Sequence, residues 1–257
     1  MATYSLKKSY QLKNLKEINF KDLWGDHGVF TTMWIFGKPV KILFFENHLK
    51  NLIKSLKSYG ISKKTLRKDI LSIISRNLSK KHNYNHLLRI ALNKKVISIS
   101  LRKKIIPKKN FDLKLVNLKR EKPKFKNLKY KKILSHLSKM DNSKSDIGLV
   151  VNNKILETGT SNLLFIKDQK VFVPKKNYYE GNTFKFIKSK IKKIIKKDIL
   201  LKELNNYDEI LLIGSGKGVA SVNTIKNFGW KRKNQNKYKI LSKYYLEAIN
   251  KCNSYKF

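Results

Sequence analysis

The sequence predicts an α+β protein of two domains, and three observations predict it. Apolar strands bounded by turn formers recur through the chain. Two amphipathic helical stripes sit together after the first hairpin. Strands and helices then mix without the strict alternation of parallel βαβ units. With 257 residues, the chain is long enough for two cores.

Residues 1–23 are polar and basic with little periodicity. Trp24-Gly25-Asp26-His27-Gly28 reads as a turn, and Val29–Ile35 as a β-rich run. Gly37-Lys38-Pro39 turns the chain into a second strand, Val40–Phe45. Asn47 is the expected N-cap of a helix over His48–Tyr59, with Leu49, Leu52, Ile53 and Leu56 on one face and Gly60 closing it. Ser62 is the expected cap of Lys63–Leu78, whose stripe is Leu66, Ile70, Ile73 and Ile74. His86–Leu92, Val96–Leu101 and Phe111–Leu118 read as strands. Arg120–Asn127 is a basic connector, so the domains are expected over 1–120 and 121–257. Beyond it come a helix over Lys129–Met140, a strand over Asp146–Asn152 and a hairpin of Asn162–Ile166 with Val171–Val173. A helix over Thr183–Lys196, strands over Tyr207–Ile213 and Val219–Val222, and a tail helix over about Lys239–Lys251 complete the expectation.

The formal net charge is +42, yet six of the 59 basic residues are Arg and 53 are Lys. Readers of base edges and phosphates favour the Arg fork. The lysines run along the whole chain among Ile, Asn and Tyr, which points to composition rather than a dedicated nucleic-acid surface. No specific nucleic-acid partner is expected, only weak polyanion binding at low salt; a non-enzymatic basic nucleic-acid-binding protein is the rival of another class. The single cysteine, Cys252, allows no internal disulfide. No run approaches the length of a membrane span and the first residues lack an apolar core, so a soluble cytoplasmic protein is expected.

Several familiar motifs fail. Gly214-Ser215-Gly216-Lys217-Gly218 lacks the hydroxyl after its Lys and the earlier Gly that a P-loop needs. It also lacks the third Gly of a dinucleotide loop. No G-x-S-x-G elbow exists. His82 and His86 stand four apart with no nearby carboxylate, so no metal site is expected; His27, His48 and His136 read as capping or surface residues. One carboxylate stands out. Glu157 lies just upstream of an apolar strand in a chain with only 17 acidic residues.

Taken in order, Gly28–Thr32, Asn47–Leu52, Leu128-Lys129, Leu156–Phe165, Val173-Pro174, Gly181–Thr183 and Asp208–Val222 resemble the fold-type IV (class IV aminotransferase) pyridoxal-phosphate enzymes. The resemblance spans most of the chain. It implies their two-domain α+β architecture, with pyridoxal 5′-phosphate between the domains, and a homodimer. It also implies roles. Lys129 matches the lysine that bonds the cofactor and then shuttles a proton, with Lys131 and Lys132 as fallbacks. Glu157 matches the carboxylate that keeps the pyridine nitrogen protonated. Asn182 and Thr183 match one phosphate loop, Ser215 and Gly216 the other. Asn51 and Trp34 stand where relatives carry Arg, and Lys94-Lys95 where they carry Arg-Gly; Lys94 or Arg89 would then meet a substrate carboxylate.

The Phe30-Thr31-Thr32 sequence and the lack of a glycine-rich run after Lys129 look more like aminodeoxychorismate lyase than branched-chain aminotransferases. The implied reaction eliminates pyruvate from 4-amino-4-deoxychorismate, giving 4-aminobenzoate for folate synthesis, with Thr31 or Thr32 near the substrate. The alternative is an amino-acid transaminase acting on branched-chain or D-amino acids.

Overall fold

Alternating side chains make a six-stranded sheet from the first part of the chain. The computed structural model describes residues 4–256. Strands β1 (Tyr4–Gln11), β2 (Glu17–Ile18), β3 (Gly28–Gly37) and β4 (Lys41–Ile42) precede helices α1 (Phe45–Ser58) and α2 (Leu66–Asn77). Strands β5 (Tyr84–Asn93) and β6 (Val96–Lys103) follow, and the spatial order is β2-β1-β6-β5-β3-β4. Met33 and Ile35 of β3, Leu88 and Ile90 of β5 and Ile97 and Ile99 of β6 point to one face. There they pack with Leu49, Leu52 and Leu56 of α1 and Ile70, Ile73 and Ile74 of α2, the two expected stripes.

The second sheet is larger and carries three parallel pairings. It contains β7 (Phe111–Asn117), β8 (Ser145–Val151), β9 (Lys154–Thr158), β10 (Asn162–Lys167), β11 (Lys170–Pro174), β12 (Ile194–Lys197), β13 (Ile199–Leu200), β14 (Glu209–Gly214), β15 (Gly218–Ile225) and β16 (Trp230–Lys231). Its order is β12-β11-β10-β14-β15-β7-β8-β9-β13, with β16 beside β15. Helices α3 (Lys131–Leu137), α4 (Asn182–Ser189) and α5 (Asn236–Asn250) complete the chain. Phe111, Phe165, Leu212, Val222 and Trp230 lie at the heart of its apolar core.

The compact units are discontinuous in sequence, beside the expected ranges 1–120 and 121–257. Among the described residues, one compact unit holds 4–104, 125–131 and 251–256; the other holds 105–124 and 132–250. The reason is pairing: β7 lies parallel to both β8 and β15, which ties its segment to the second unit. Residues 125–131 return to the first because Asn127 bridges Val29 and Leu128 exchanges backbone hydrogen bonds with Gly28 and Gly25.

Other elements shifted for local reasons. β1, hidden in the polar opening, pairs along its whole length with β6 and buries Ser9 and Tyr10. The strand expected over Val40–Phe45 shrinks to Lys41–Ile42, because Phe44 takes a left-handed φ of 56° and starts α1 three residues before the expected cap at Asn47. Helix α2 begins after Thr65 rather than Ser62. The helix expected over Thr183–Lys196 stops at Ser189, and its Ile-rich end becomes β12, parallel to β11. Branched Ile suits a pleated strand better than a helix. Helix α5 starts earlier than expected, at Asn236, because the fully buried Glu209 carboxylate accepts the N–H groups of Lys237 at 2.7 Å and Tyr238 at 2.9 Å.

His48, expected as a surface or capping residue, is buried on α1, with its Nδ1 2.7 Å from Thr31 Oγ1. Burial, reinforced by the nearby Lys126 charge, pushes the imidazole down from 6.5 to about 3. The unfolded chain therefore binds the extra proton first, and stability falls as pH drops below about 6.5 toward 3. Urea unfolding of the wild type across pH 4–7 will lose up to about 1.4 kcal/mol per pH unit from this group; His48→Gln will flatten that slope, and an unchanged slope would overturn the assignment.

Candidate functional site

A one-residue irregularity aims the carboxylate singled out above. Strand β9 pairs with β8 as Val150↔Ile155, then Leu149↔Glu157, so Leu156 is an extra residue in the ladder. Regular alternation would put Glu157 on the face of Ile155, inside the apolar core. The bulge puts it opposite Leu149 instead. There Arg120 Nε donates to Glu157 Oε1 at 2.8 Å and Arg120 Nη2 to Oε2 at 3.1 Å. Both side chains are nearly sealed, 4% and 7% exposed. Arg120 Nη2 also donates to the Pro123 carbonyl at 2.7 Å, and the Tyr179 N–H donates to Glu157 Oε2 at 3.3 Å. Sequence reasoning had placed Arg120 only at a domain boundary.

The loop that supplies Tyr179 leads directly into α4. Asn162, at the start of β10, donates from Nδ2 to the Tyr179 carbonyl and accepts from the Gly181 N–H at 3.1 Å. Its side chain thus fixes the three residues before the helix. Gly181 caps α4 with extended backbone and no side-chain cap bond, and a helix start of this kind suits an anion. Thr183 in that first turn is 1% exposed, and its Oγ1 has no hydrogen-bond partner among the described residues. A buried hydroxyl without a partner costs about 1–3 kcal/mol, a cost that a bound acceptor removes. Asn182 beside it is also buried. The turn carrying Ser215 and Gly216 joins β14 to β15, and Gly214 at its start approaches so closely that an added Cβ would sit 2.8 Å from Ser161 Oγ. Ser161 and Asn162 are therefore where the Glu157 loop, the α4 start and the Ser215 turn meet.

Burial raises both tyrosines of the loop. Tyr178 is pushed to about 12 by desolvation and by the Glu180 and Glu157 charges. Tyr179 is raised by burial, with Arg120 acting against it. Both phenols stay neutral at physiological pH.

The first unit carries the remaining expected residues. Leu128 is fully buried and locked to Gly28, where an added Cβ would lie 2.1 Å from the Leu92 carbonyl oxygen. Only glycine lets that backbone approach. Lys129 follows, exposed, its N–H donating to Asn127 Oδ1 at 3.1 Å, two residues ahead of α3 rather than inside the helix. Tyr130 stacks on Trp24 with ring centroids 5.7 Å apart.

Of the paired threonines, Thr31 faces α1, with its Oγ1 2.7 Å from His48 Nδ1. Thr32 is on the opposite face, in register with Arg89. The Arg89 guanidinium lies 4.2 Å from the Trp24 ring centre, and its Nη2 donates to the carbonyl and carboxylate of Asp22. Its Nε and Nη1 are buried and without a partner among the described residues. Burial lowers its proton affinity, and Asp22 works against that. Lys94 is exposed in the β5–β6 turn. Among the described residues no group of three or more His, Cys, Asp or Glu is placed to hold a metal ion, and no helix is long and apolar enough to cross a membrane.

A model of the amino-transferase class IV family matches residues 28–225. No curated protein sequence matches the chain. Among solved structures, the branched-chain aminotransferase of Thermoproteus uzoniensis superposes with a TM-score of 0.78 at 14% identity, covering 95% of both chains. A putative 4-amino-4-deoxychorismate lyase of Legionella pneumophila gives 0.73 at 17% identity, covering 86% of this chain and 91% of its own. A hypothetical aminotransferase of Mycobacterium tuberculosis, in its PLP-bound form, gives 0.70 at 14% identity, covering 95% and 99%. These likenesses carry the fold and leave the reaction open.

Thr183→Val tests the anion reading of the α4 start. It removes a buried hydroxyl without a partner, so the ligand-free protein will melt at the same temperature or slightly higher. Binding of pyridoxal phosphate, followed by its absorbance, will weaken roughly tenfold. A lower melting temperature with unchanged binding would assign Thr183 to the core alone.

Proposed function

The chain belongs to the class IV aminotransferase family, and from that premise we propose that it is a pyridoxal-phosphate-dependent lyase that eliminates pyruvate from 4-amino-4-deoxychorismate to give 4-aminobenzoate for folate synthesis. The family's cofactor is pyridoxal 5′-phosphate. The residues present fit it. Thr183 Oγ1, buried without a partner among the described residues at a helix start with no side-chain cap bond, suits the phosphate, with Asn182, Ser215 and Gly216 as the further phosphate-binding residues. Glu157 supplies the buried carboxylate for the ring nitrogen. When bound, the cofactor supplies an electron sink for the pair left by a broken substrate bond.

The chain's own groups do the rest in this reading. Lys129 holds the cofactor through its amine and, once released, takes the substrate proton whose loss accompanies departure of the enolpyruvyl group. Thr32 and Arg89 share one sheet face, and the unpaired N–H groups of Arg89 suit a substrate carboxylate; Lys94 is a second candidate for it. The observation that carries the proposal is Glu157, a buried carboxylate turned out of the core by a bulge and gripped at both oxygens by Arg120. The choice of lyase draws on Phe30-Thr31-Thr32 and on the absence of a glycine-rich run after Lys129. The fold likeness to the Legionella protein is consistent with it. The second reading, an amino-acid transaminase, draws on Arg89. A cytoplasmic homodimer is part of the proposal.

Protein loaded with pyridoxal phosphate will be yellow, and borohydride will fix the label on Lys129, as peptide mass mapping reads. Lys129→Ala will abolish the label and lower turnover roughly 10²–10⁴-fold; a label on Lys131 instead would move the assignment. Release of 4-aminobenzoate without a keto-acid acceptor supports the lyase. Turnover only with an acceptor selects the transaminase.

A further inference from the structure

A buried ion pair is a poor source of stability, because desolvating two charges cancels most of their attraction. The Arg120–Glu157 pair therefore asks for another reason. Its geometry supplies one. Two parallel N–H···O bonds, at 2.8 and 3.1 Å, leave the carboxylate no rotation about its last bond. The same guanidinium is tied to the Pro123 carbonyl and the same carboxylate to the Tyr179 N–H, so both partners are fixed from outside the pair. Their charges cancel at contact distance in a site that excludes water, where a charge acts strongly on its neighbours.

We propose that Arg120 is a positioning residue for the cofactor: it fixes the plane of the Glu157 carboxylate and offsets its charge, so that the ring nitrogen meets a nearly neutral pair rather than a lone anion. This rests on the pyridoxal-phosphate reading above. It goes beyond that reading in assigning the strength of the electron sink to a second residue. A lone buried carboxylate would hold a proton on the ring tightly. The Arg120 cation behind it opposes that proton, and so weakens the sink. Lysine in this place keeps the charge but loses the two-point grip.

The readout is the pH midpoint at which the cofactor's ring nitrogen titrates, followed by nitrogen NMR of protein loaded with ring-15N pyridoxal phosphate. Arg120→Met removes a cation, so the protonated ring is favoured and the midpoint rises by about one pH unit. Glu157→Gln removes an anion and moves the midpoint down. Arg120→Lys keeps it near the wild-type value while binding of pyridoxal phosphate weakens several-fold. An Arg120→Met midpoint equal to the wild type, with only a lower melting temperature, would make Arg120 merely structural and overturn the proposal. So would a downward shift. Should Arg120→Met not fold, the opposite responses of Arg120→Lys and Glu157→Gln decide: a midpoint moved as far by the lysine as by the glutamine overturns it. Wild-type protein that takes up no cofactor sinks the family-level reading instead, and the two failures are thereby distinct.

Discussion

The fork between Arg120 and Glu157 is the contact on which the second unit's site depends. It works only because β9 carries one residue too many. Without Leu156 in the ladder, the carboxylate would turn into an apolar core and its burial there would be prohibitive. With it, Glu157 meets Arg120 on one side and the Tyr179 N–H on another. Tyr179 is in turn held by Asn162, and Asn162 also sets Gly181, the cap of α4. A buried carboxylate and the start of α4 are thus parts of one hydrogen-bonded unit. A rigid planar ligand with a cation at one end and a phosphate at the other needs that separation fixed.

The first unit solves a related problem with backbone rather than charge. In the role proposed for it, Lys129 needs a long side chain free at its tip and a backbone that does not move. Leu128, sealed in the core and hydrogen-bonded to Gly25 and Gly28, supplies the second. The missing Cβ at Gly28 is what admits it. Trp24, Phe30 and Tyr130 then close over this junction. The side chain is exposed while its root is buried.

Much of this was legible in the sequence, because periodicity survives a lysine-rich background wherever Ile and Leu keep their spacing. The stripes of α1 and α2 and the runs of β5, β6, β10 and β14 were read that way. Glu157 was legible for the opposite reason: acids are scarce enough that one beside an apolar strand is informative. Three things were not legible. The bulge at Leu156 is a shift of one residue in pairing, which no single strand records. Repeated Ile and Lys after Ser189 satisfy a helical and a strand period alike, so only pairing with β11 decides. Thr31 and Thr32 are neighbours with equal claims until the register turns one to His48 and the other to Arg89.

Arg120 was hidden for a different reason. It sits in Arg120-Glu121-Lys122-Pro123-Lys124, which reads as a solvated basic connector. Yet the chain uses Arg six times against 53 Lys, and two of the six are buried. Arg89 and Arg120 are sealed, each meeting a carboxylate. The sealed lysine, Lys217, is held differently, 3.9 Å from Asp146 and over the Phe111 ring. A compact ammonium can serve as a point charge there, but it cannot grip two oxygens of one carboxylate in a plane. A guanidinium can, and Arg120 uses that grip on a buried acid partner. Here that partner is the one carboxylate on which the proposed chemistry turns.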